Sequence, residues 1–174
     1  MAKKRRSEAA PVGGGSVRAQ VERWLKDSGN YTSVQSQPGM VFMVVGRFPK
    51  LVPPPGQPMP FFVIQPDDDH SVVAVLTNVT FSPDHRQLLA QLPEIEKQQF
   101  LRELQLGLLF RCEYTFQQDP QTKEYLGVQL VHPIYLDAPL TKETLMKAIW
   151  IVFHAYLFIS MKFQGLAPVA VVSP

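Results

Sequence analysis

The chain has 174 residues, 45% of them hydrophobic and 18% charged, and a formal net charge of +2 at pH 7. This length is enough for one domain with a real core, and the low charged fraction indicates a large buried surface that includes an interface. Residues 17–174 carry 13 basic and 14 acidic side chains. The body of the chain is therefore close to neutral, which argues against nucleic-acid binding by the domain itself.

The single cysteine, Cys112, excludes an intrachain disulfide. It lies in an alternating segment, where a small buried hydrophobic residue is expected. The basic start is followed by a polar and glycine-rich stretch and not by the apolar core of a signal peptide. We therefore predict a cytoplasmic protein.

The first elements are a tail and a helix. Residues 1–15 are charged and then rich in Ala, Pro and Gly, which predicts a flexible tail. Ser16 is a suitable N-cap, and apolar residues on one helical face follow it. Gly29 is a suitable helix stop. The chain therefore begins its folded part with a short amphipathic helix.

Strands follow this helix. Segments 31–37 and 40–48 flank the turn signal Pro38-Gly39 and predict a hairpin, with the second strand apolar on both faces. A proline-rich loop of polyproline character covers residues 49–60, and it is interpreted as a stiff connector more readily than as a recognition segment. Segment 71–81 is a further strand, and segment 61–65 is either its hairpin arm or an extension of the sheet edge. Three or four strands therefore precede the middle helix.

The second half alternates helix, hairpin and helix. Ser82 is the expected N-cap, and Pro83 suits the first helical position. Pro93 indicates either a helical hairpin or a kinked helix that reaches residue 110. Strands are predicted at 111–118 and 124–136, and Thr141 is the expected N-cap of the last helix.

The last helix is apolar on nearly every side from residue 148 to residue 161. This run is shorter than the ~20 residues of a membrane span, so we predict no membrane span and a buried helix. Such a helix covers the sheet and also meets either other helices or a second chain. We predict a partner or dimer interface on this helix, with pure intrachain packing as the alternative. The predicted interface residues are Ile149, Trp150, Phe153, Tyr156 and Leu157.

No sequence motif predicts catalysis, a cofactor or a metal ion. The run Asp67-Asp68-Asp69-His70 is interpreted as a solvated turn, since consecutive aspartates point in different directions and do not converge on a cation. His154 is expected to be a buried, hydrogen-bonded and neutral histidine or a pH-sensitive interface contact. An enzyme with a site at Asp67–Asp69 or His154 remains a lower-ranked alternative.

The basic residues at the start could contact a polyanion or an acidic partner. Four charges on a flexible tail give weak, salt-dependent binding, so nucleic-acid association through the tail alone is an alternative function. These residues are Lys3, Lys4, Arg5 and Arg6.

The predicted fold class is α+β, an antiparallel sheet with helices packed on one face in the order α-β-β-β-α-β-β-α. Residues 16–164 form the single predicted domain, between a tail at 1–15 and a C-terminal tail at 165–174. The predicted function is a non-catalytic protein-binding or chaperone-like adaptor that forms a homodimer. Neither a cofactor nor a catalytic residue is assigned.

The order of these elements resembles the type III secretion chaperone-like fold, which includes YbjN-like proteins. The resemblance covers the helix at 16–26, the strands within 31–81, the helix at 82–110, the hairpin at 111–136 and the helix at 141–163. It implies a small non-enzymatic α+β domain that is often dimeric. It also implies binding of unfolded or extended polypeptide segments along the sheet and helices.

Overall fold

The computed structural model describes residues 16–48 and 59–166. The predicted tail at 1–15, with its basic residues, lies outside these ranges, as do residues 49–58 of the proline-rich loop and residues 167–174. The elements are α1 (Val17–Asp27), β1 (Tyr31–Gln35), β2 (Met40–Arg47), β3 (Pro60–Pro66), β4 (Val72–Thr80), α2 (Pro83–Gln91), α3 (Glu94–Leu109), β5 (Glu113–Gln118), β6 (Tyr125–Tyr135) and α4 (Lys142–Gln164).

The six strands form one sheet in the order β1-β2-β3-β4-β6-β5, and every neighbouring pair is antiparallel. The predicted α+β class with an antiparallel sheet is therefore confirmed. The predicted order has one strand too few before the middle helix. The segment 60–66 is a separate strand, β3, which pairs with β2 on one side and with β4 on the other. Pro93 separates two helices, α2 and α3, where the sequence left a hairpin or a kink open.

Side-chain caps begin three of the helices at the predicted residues. The Ser16 hydroxyl accepts from the backbone N–H of Ala19 at 3.3 Å, and the Ser82 hydroxyl accepts from that of His85 at 3.2 Å. The Thr141 hydroxyl accepts from Thr144 N–H at 3.1 Å. Each cap satisfies an N–H that has no partner within the helix, so local chemistry sets these starts.

The helices cover one face of the sheet. Helix α1 contacts β1 and β2, α4 contacts β4 and β6, and α3 contacts β5. Because α1 and α3 both also contact α4, the long helix lies between them. The main hydrophobic core fills the space between this helix layer and the sheet, in agreement with the predicted one-sided packing.

Among the described residues, α4 is the one helix long and apolar enough to cross a membrane, with 23 residues and a mean hydropathy of 1.5 in its most apolar stretch. The core helix of a globular protein meets the same criteria. In the structure, α4 contacts the sheet and both neighbouring helices, and 39% of its most apolar stretch is buried.

Candidate functional site

The second face of the sheet is apolar, although no described helix packs on it. Strand pairing places Met43 beside Ile64, Phe62 beside Leu76, and Leu76 beside Val131 on this face. Within the part of the chain that the structure describes, the apolar side chains packed on the buried centre of this cluster all come from strands of the sheet. We name this surface the open face; its apolar residues are Met40, Met43, Val45, Phe62, Ile64, Ala74, Leu76 and Val131.

The open face carries very little charge. The six strands contain two charged side chains, Arg47 at the end of β2 and Glu113 at the start of β5, and both are exposed on this face. A polar border lies toward β5, where the Asn78 side-chain oxygen accepts from the Gln117 amide at 3.3 Å and from the Gln129 amide at 3.2 Å. The surface is therefore an apolar centre with a thin polar rim.

Such a face is unusual for an open antiparallel sheet. One face of these sheets normally packs on the core and the other carries polar side chains toward water. Here β2, β3 and β4 are apolar on both sides, which is typical of strands that are covered on both faces. The sequence predicts this property for segment 40–48, whereas the same pattern of apolar residues on both sides of β3 and β4 was not recognised.

The predicted interface on α4 is wrong for Ile149 and Phe153. Their exposed fractions are 2% and 3%, and the Phe153 ring lies 5.1 Å from that of Phe48 in the main core. These two side chains pack between α4 and the sheet, so a partner cannot reach them. The structure places Tyr156 and Leu157 at half-buried positions, while Trp150 is 39% exposed. The apolar character of α4 mainly serves the chain's own core.

The expectation of a buried His154 is also wrong. The side chain is exposed on the outer side of α4, where its ring lies 5.7 Å from that of Trp150. The outer side of this helix faces neither the sheet nor a neighbouring helix. The exposure of this side of α4 was not predictable from the apolar run in the sequence, because the apolar residues Trp150 and Met161 are exposed there as well.

The aspartate run forms a turn between β3 and β4. A side-chain oxygen of Asp69 accepts from the backbone N–H of Ser71 at 2.9 Å, and bonding to Ser71 lowers the pKa of the Asp69 carboxyl. Asp67, Asp68 and His70 are exposed. In the described ranges, no group of three or more His, Cys, Asp and Glu side chains is arranged to hold a metal ion.

Cys112 precedes β5 and is half-buried. Burial raises the pKa of its thiol to about 11, because the charged thiolate is poorly solvated there. Burial likewise lowers the pKa of the neighbouring His132. A thiol with a raised pKa is a poor nucleophile at neutral pH, so this pair lacks the electrostatics of a cysteine–histidine active site.

Two shallow concavities lie near α3. One, of about 780 Å³, is lined mainly by glutamine and arginine side chains of α3 and by Tyr125. The other, of about 610 Å³, lies where α3 ends and β5 begins, and it includes Phe110, Arg111 and Tyr135. Leu109 and Phe110 expose 60% and 87% of their surface there. This second groove therefore combines exposed apolar groups with the free edge of β5.

Comparison with known proteins identifies a family and a similar fold. The model of a family described as "Uncharacterized conserved protein (DUF2299)" matches residues 17–163. The crystal structure of an uncharacterized protein from Methanothermobacter thermautotrophicus is similar, with a TM-score of 0.74 and 18% sequence identity. The match covers 85% of this chain and 96% of that chain. No curated protein matches the sequence.

Proposed function

Since the chain belongs to the family of uncharacterized conserved proteins DUF2299, we propose from its geometry that it is a non-catalytic protein-binding domain. It acts as a chaperone-like adaptor that holds an apolar segment of another polypeptide on the open face, and it self-associates. The observation that carries this proposal is the apolar open face, which no described helix covers.

The chemistry of the open face favours a polypeptide as its occupant. Nucleic acid is held by clusters of lysine and arginine on phosphates, whereas the strands offer Arg47 as their one cationic side chain. Apolar side chains of an extended or helical segment could pack on Phe62, Leu76 and Val131, which are half-buried at present. Covering them removes apolar area from water, which stabilises the complex by about 25 cal/mol per Å².

The small number of charges also bears on selectivity. Directional contacts would come chiefly from the rim, from Arg47, Glu113 and the amides around Asn78. Hydrophobic association is non-directional, so an apolar centre accepts different apolar sequences. This supports a holding or adaptor role over recognition of one fixed sequence.

The first test introduces a charge at the centre of the open face. Leu76→Glu should weaken binding of reduced, carboxymethylated α-lactalbumin, a permanently unfolded probe, by about tenfold or more, because the buried carboxylate would be desolvated without a partner. Binding is measured by fluorescence anisotropy of the labelled probe. Circular dichroism establishes that the variant is folded.

The matched control is Ile95→Glu, which adds the same charge at a residue that is 83% exposed on α3. It should bind as the wild type does. If Leu76→Glu does not fold, Asn78→Asp replaces it, because this change adds a charge to the same face and keeps the oxygen that accepts from Gln117 and Gln129. Absence of binding by the wild type, or unaltered binding by the folded open-face variant, would contradict the proposal.

A further inference from the structure

Strand β5 is a free edge of the sheet. It pairs with β6 on one side, and no described element lies on its other side. Natural edge strands are usually blunted by charged side chains, above all lysine, by proline or by β-bulges, because their unpaired N–H and C=O groups are a template for another strand. The six residues Glu113–Gln118 contain no lysine and no proline. The one charged residue, Glu113, is the first of the strand, and the pairing of β5 with β6 becomes irregular only between Gln117 and Gln118, so residues 113–117 form a regular edge that is open to pairing.

We propose that β5 pairs antiparallel with β5 of a second copy of this chain, around a two-fold axis at Thr115. This inference deepens the self-association in the proposed function and does not depend on what the open face binds. The two sheets would join into one sheet of twelve strands, with the two open faces on the same side.

The register follows from the side chains. With Thr115 opposite its own copy, Tyr114 lies opposite the second copy's Phe116, and the symmetric pair forms as well. Both rings are half-buried on the helix side of β5, and within one chain they lie 5.8 Å apart, edge to face. Aromatic pairs directly opposite each other are among the more favourable cross-strand contacts.

Charge supports the same register. The register centred on Thr115 brings Arg111, which precedes β5, beside the second copy's Asp119, which follows that copy's β5. A side-chain oxygen of Asp119 accepts from the backbone N–H groups of Gln121 and Thr122 at 2.8 Å each, and the pKa of its carboxyl is lowered by these bonds. No described ion pair uses Asp119 within its own chain.

Arg111 is positioned by contacts within its own chain. Its Nε–H donates to the Gly107 carbonyl oxygen at 3.0 Å, and its guanidinium lies 5.2 Å from the centre of the Phe158 ring. The described part of the chain offers it no carboxylate within ion-pair distance. A guanidinium that is positioned in advance loses less conformational entropy when it binds.

The register centred on Phe116 is disfavoured. If Phe116 lay opposite its own copy, Glu113 would face the second copy's Asp119, and like charges opposite each other are destabilising. The register centred on Thr115 also brings the exposed Leu109 and Phe110 toward the second copy's Pro120. The apolar groove at the end of α3 would then be partly covered.

The experiment measures solution mass by light scattering over a range of protein concentrations. The wild type should reach twice the 19.7 kDa of one chain. Thr115 is exposed on the open side of β5, so Thr115→Glu should leave the fold intact. It places four carboxylates around the axis together with Glu113 and should raise the dimer dissociation constant by about tenfold or more. Thr80→Glu, at an exposed position on β4, is the matched control and should remain dimeric.

A mixing experiment distinguishes this edge from any other interface. Thr115→Glu and Thr115→Lys chains, mixed in equal amounts, should form a heterodimer, because opposite charges then meet at the axis. A monomeric wild type, or a Thr115→Glu variant that dimerises as tightly as the Thr80→Glu control, would overturn the β5 pairing. Neither result concerns the probe-binding experiment with Leu76→Glu, so failure of this inference and failure of polypeptide binding are distinguishable.

Discussion

At Gly127 on β6, an added side chain would meet the backbone of the neighbouring strand. A Cβ atom at this position would clash with the Val79 carbonyl oxygen and lie 3.2 Å from the Thr80 Cα atom, both of which belong to the paired strand β4. The Cβ at Gly107 would instead meet the flexible Phe158 ring. A backbone neighbour cannot rotate away, so the strand itself must shift.

Gly127→Ala should therefore lower the free energy of unfolding by about 1–3 kcal/mol, the range for overpacking a tightly packed site. Urea unfolding measures the change. Gly165→Ala is the control, because its Cβ would meet only ordinary contacts at 3.5 Å and beyond. It should change stability by less than about 0.5 kcal/mol. Equal effects of the two substitutions would show that the β4–β6 approach is not the constraint.

Protonation of two partly buried histidines should lower the stability of the fold in mild acid. Burial lowers the pKa of His85, whose ring stacks on Phe163 at 4.4 Å, and it lowers the pKa of His132 as well. Each folded-state pKa lies below the unfolded value of about 6.5. Below that pH the unfolded chain takes up protons more readily than the folded chain does. The contribution of these two histidines to the free energy of unfolding is therefore fully present above about pH 6.5 and is lost as the pH falls further.

Thermal unfolding between pH 7.5 and 5 checks this pH dependence. The double variant His85→Gln/His132→Gln should flatten the profile in this range. His154→Gln, at an exposed histidine on α4, is the control and should keep the wild-type slope. The carboxyl groups with lowered pKa, such as those of Glu22 and Glu103, act at lower pH, because their ordinary values lie near 4.5. A profile that is already flat in the wild type contradicts the histidine explanation.

At the scale of elements, the packing of helices on one face of the sheet gives α4 a buried inner side and an exposed outer side. Its inner side faces the sheet and its flanks contact α1 and α3, while Trp150, His154 and Met161 are exposed on its outer side. A Lys162–Glu103 ion pair at 2.8 Å links α4 to α3. The helix is therefore a structural centre of the domain first, and only its outer side is accessible to a partner.

Phe153→Ala should lower the free energy of unfolding by about 3–5 kcal/mol, because it removes a ring from the core beside Phe48 and leaves a cavity. Trp150→Ala should cost clearly less, since 39% of that side chain is already exposed. Chemical denaturation measures both. If Trp150→Ala were the more destabilising change, the placement of the inner and outer sides of α4 would be wrong.

At the scale of the whole molecule, the helix layer closes one side of the sheet and leaves the apolar open face and the two edge strands, β1 and β5. The proposals concern the open face and the β5 edge. The proposed dimer would place two open faces next to each other, so that one extended polypeptide could contact both. Binding to both faces would raise the overall affinity without any new kind of contact. The two proposals share the rim residue Glu113, but their tests use different variants, Leu76→Glu for binding and Thr115→Glu for pairing, so each can fail alone.

Local signals in the sequence predicted the elements well, for physical reasons that are visible in the structure. Ser16, Ser82 and Thr141 cap helices through bonds to N–H groups three residues further on, which are local interactions. Gly39 has φ of +77° in the turn between β1 and β2, a conformation that favours glycine. The predicted dimer, the resemblance to secretion chaperones and the role of the basic tail stay predictions.

Sequence alone determined the α+β class, most element boundaries and the one-sided helix layer, since periodicity and capping depend on neighbours along the chain. Only the tertiary structure decided what each apolar surface touches. An apolar run at residues 148–161 shows that α4 is buried on several sides, but it cannot show that Phe48 covers Phe153 or that Trp150 remains accessible. Likewise, β5 is an edge because β4 pairs with β6 and not with β5, and the β4–β6 pairing joins residues far apart in the chain. Long-range contacts of this kind leave no periodic mark on either partner.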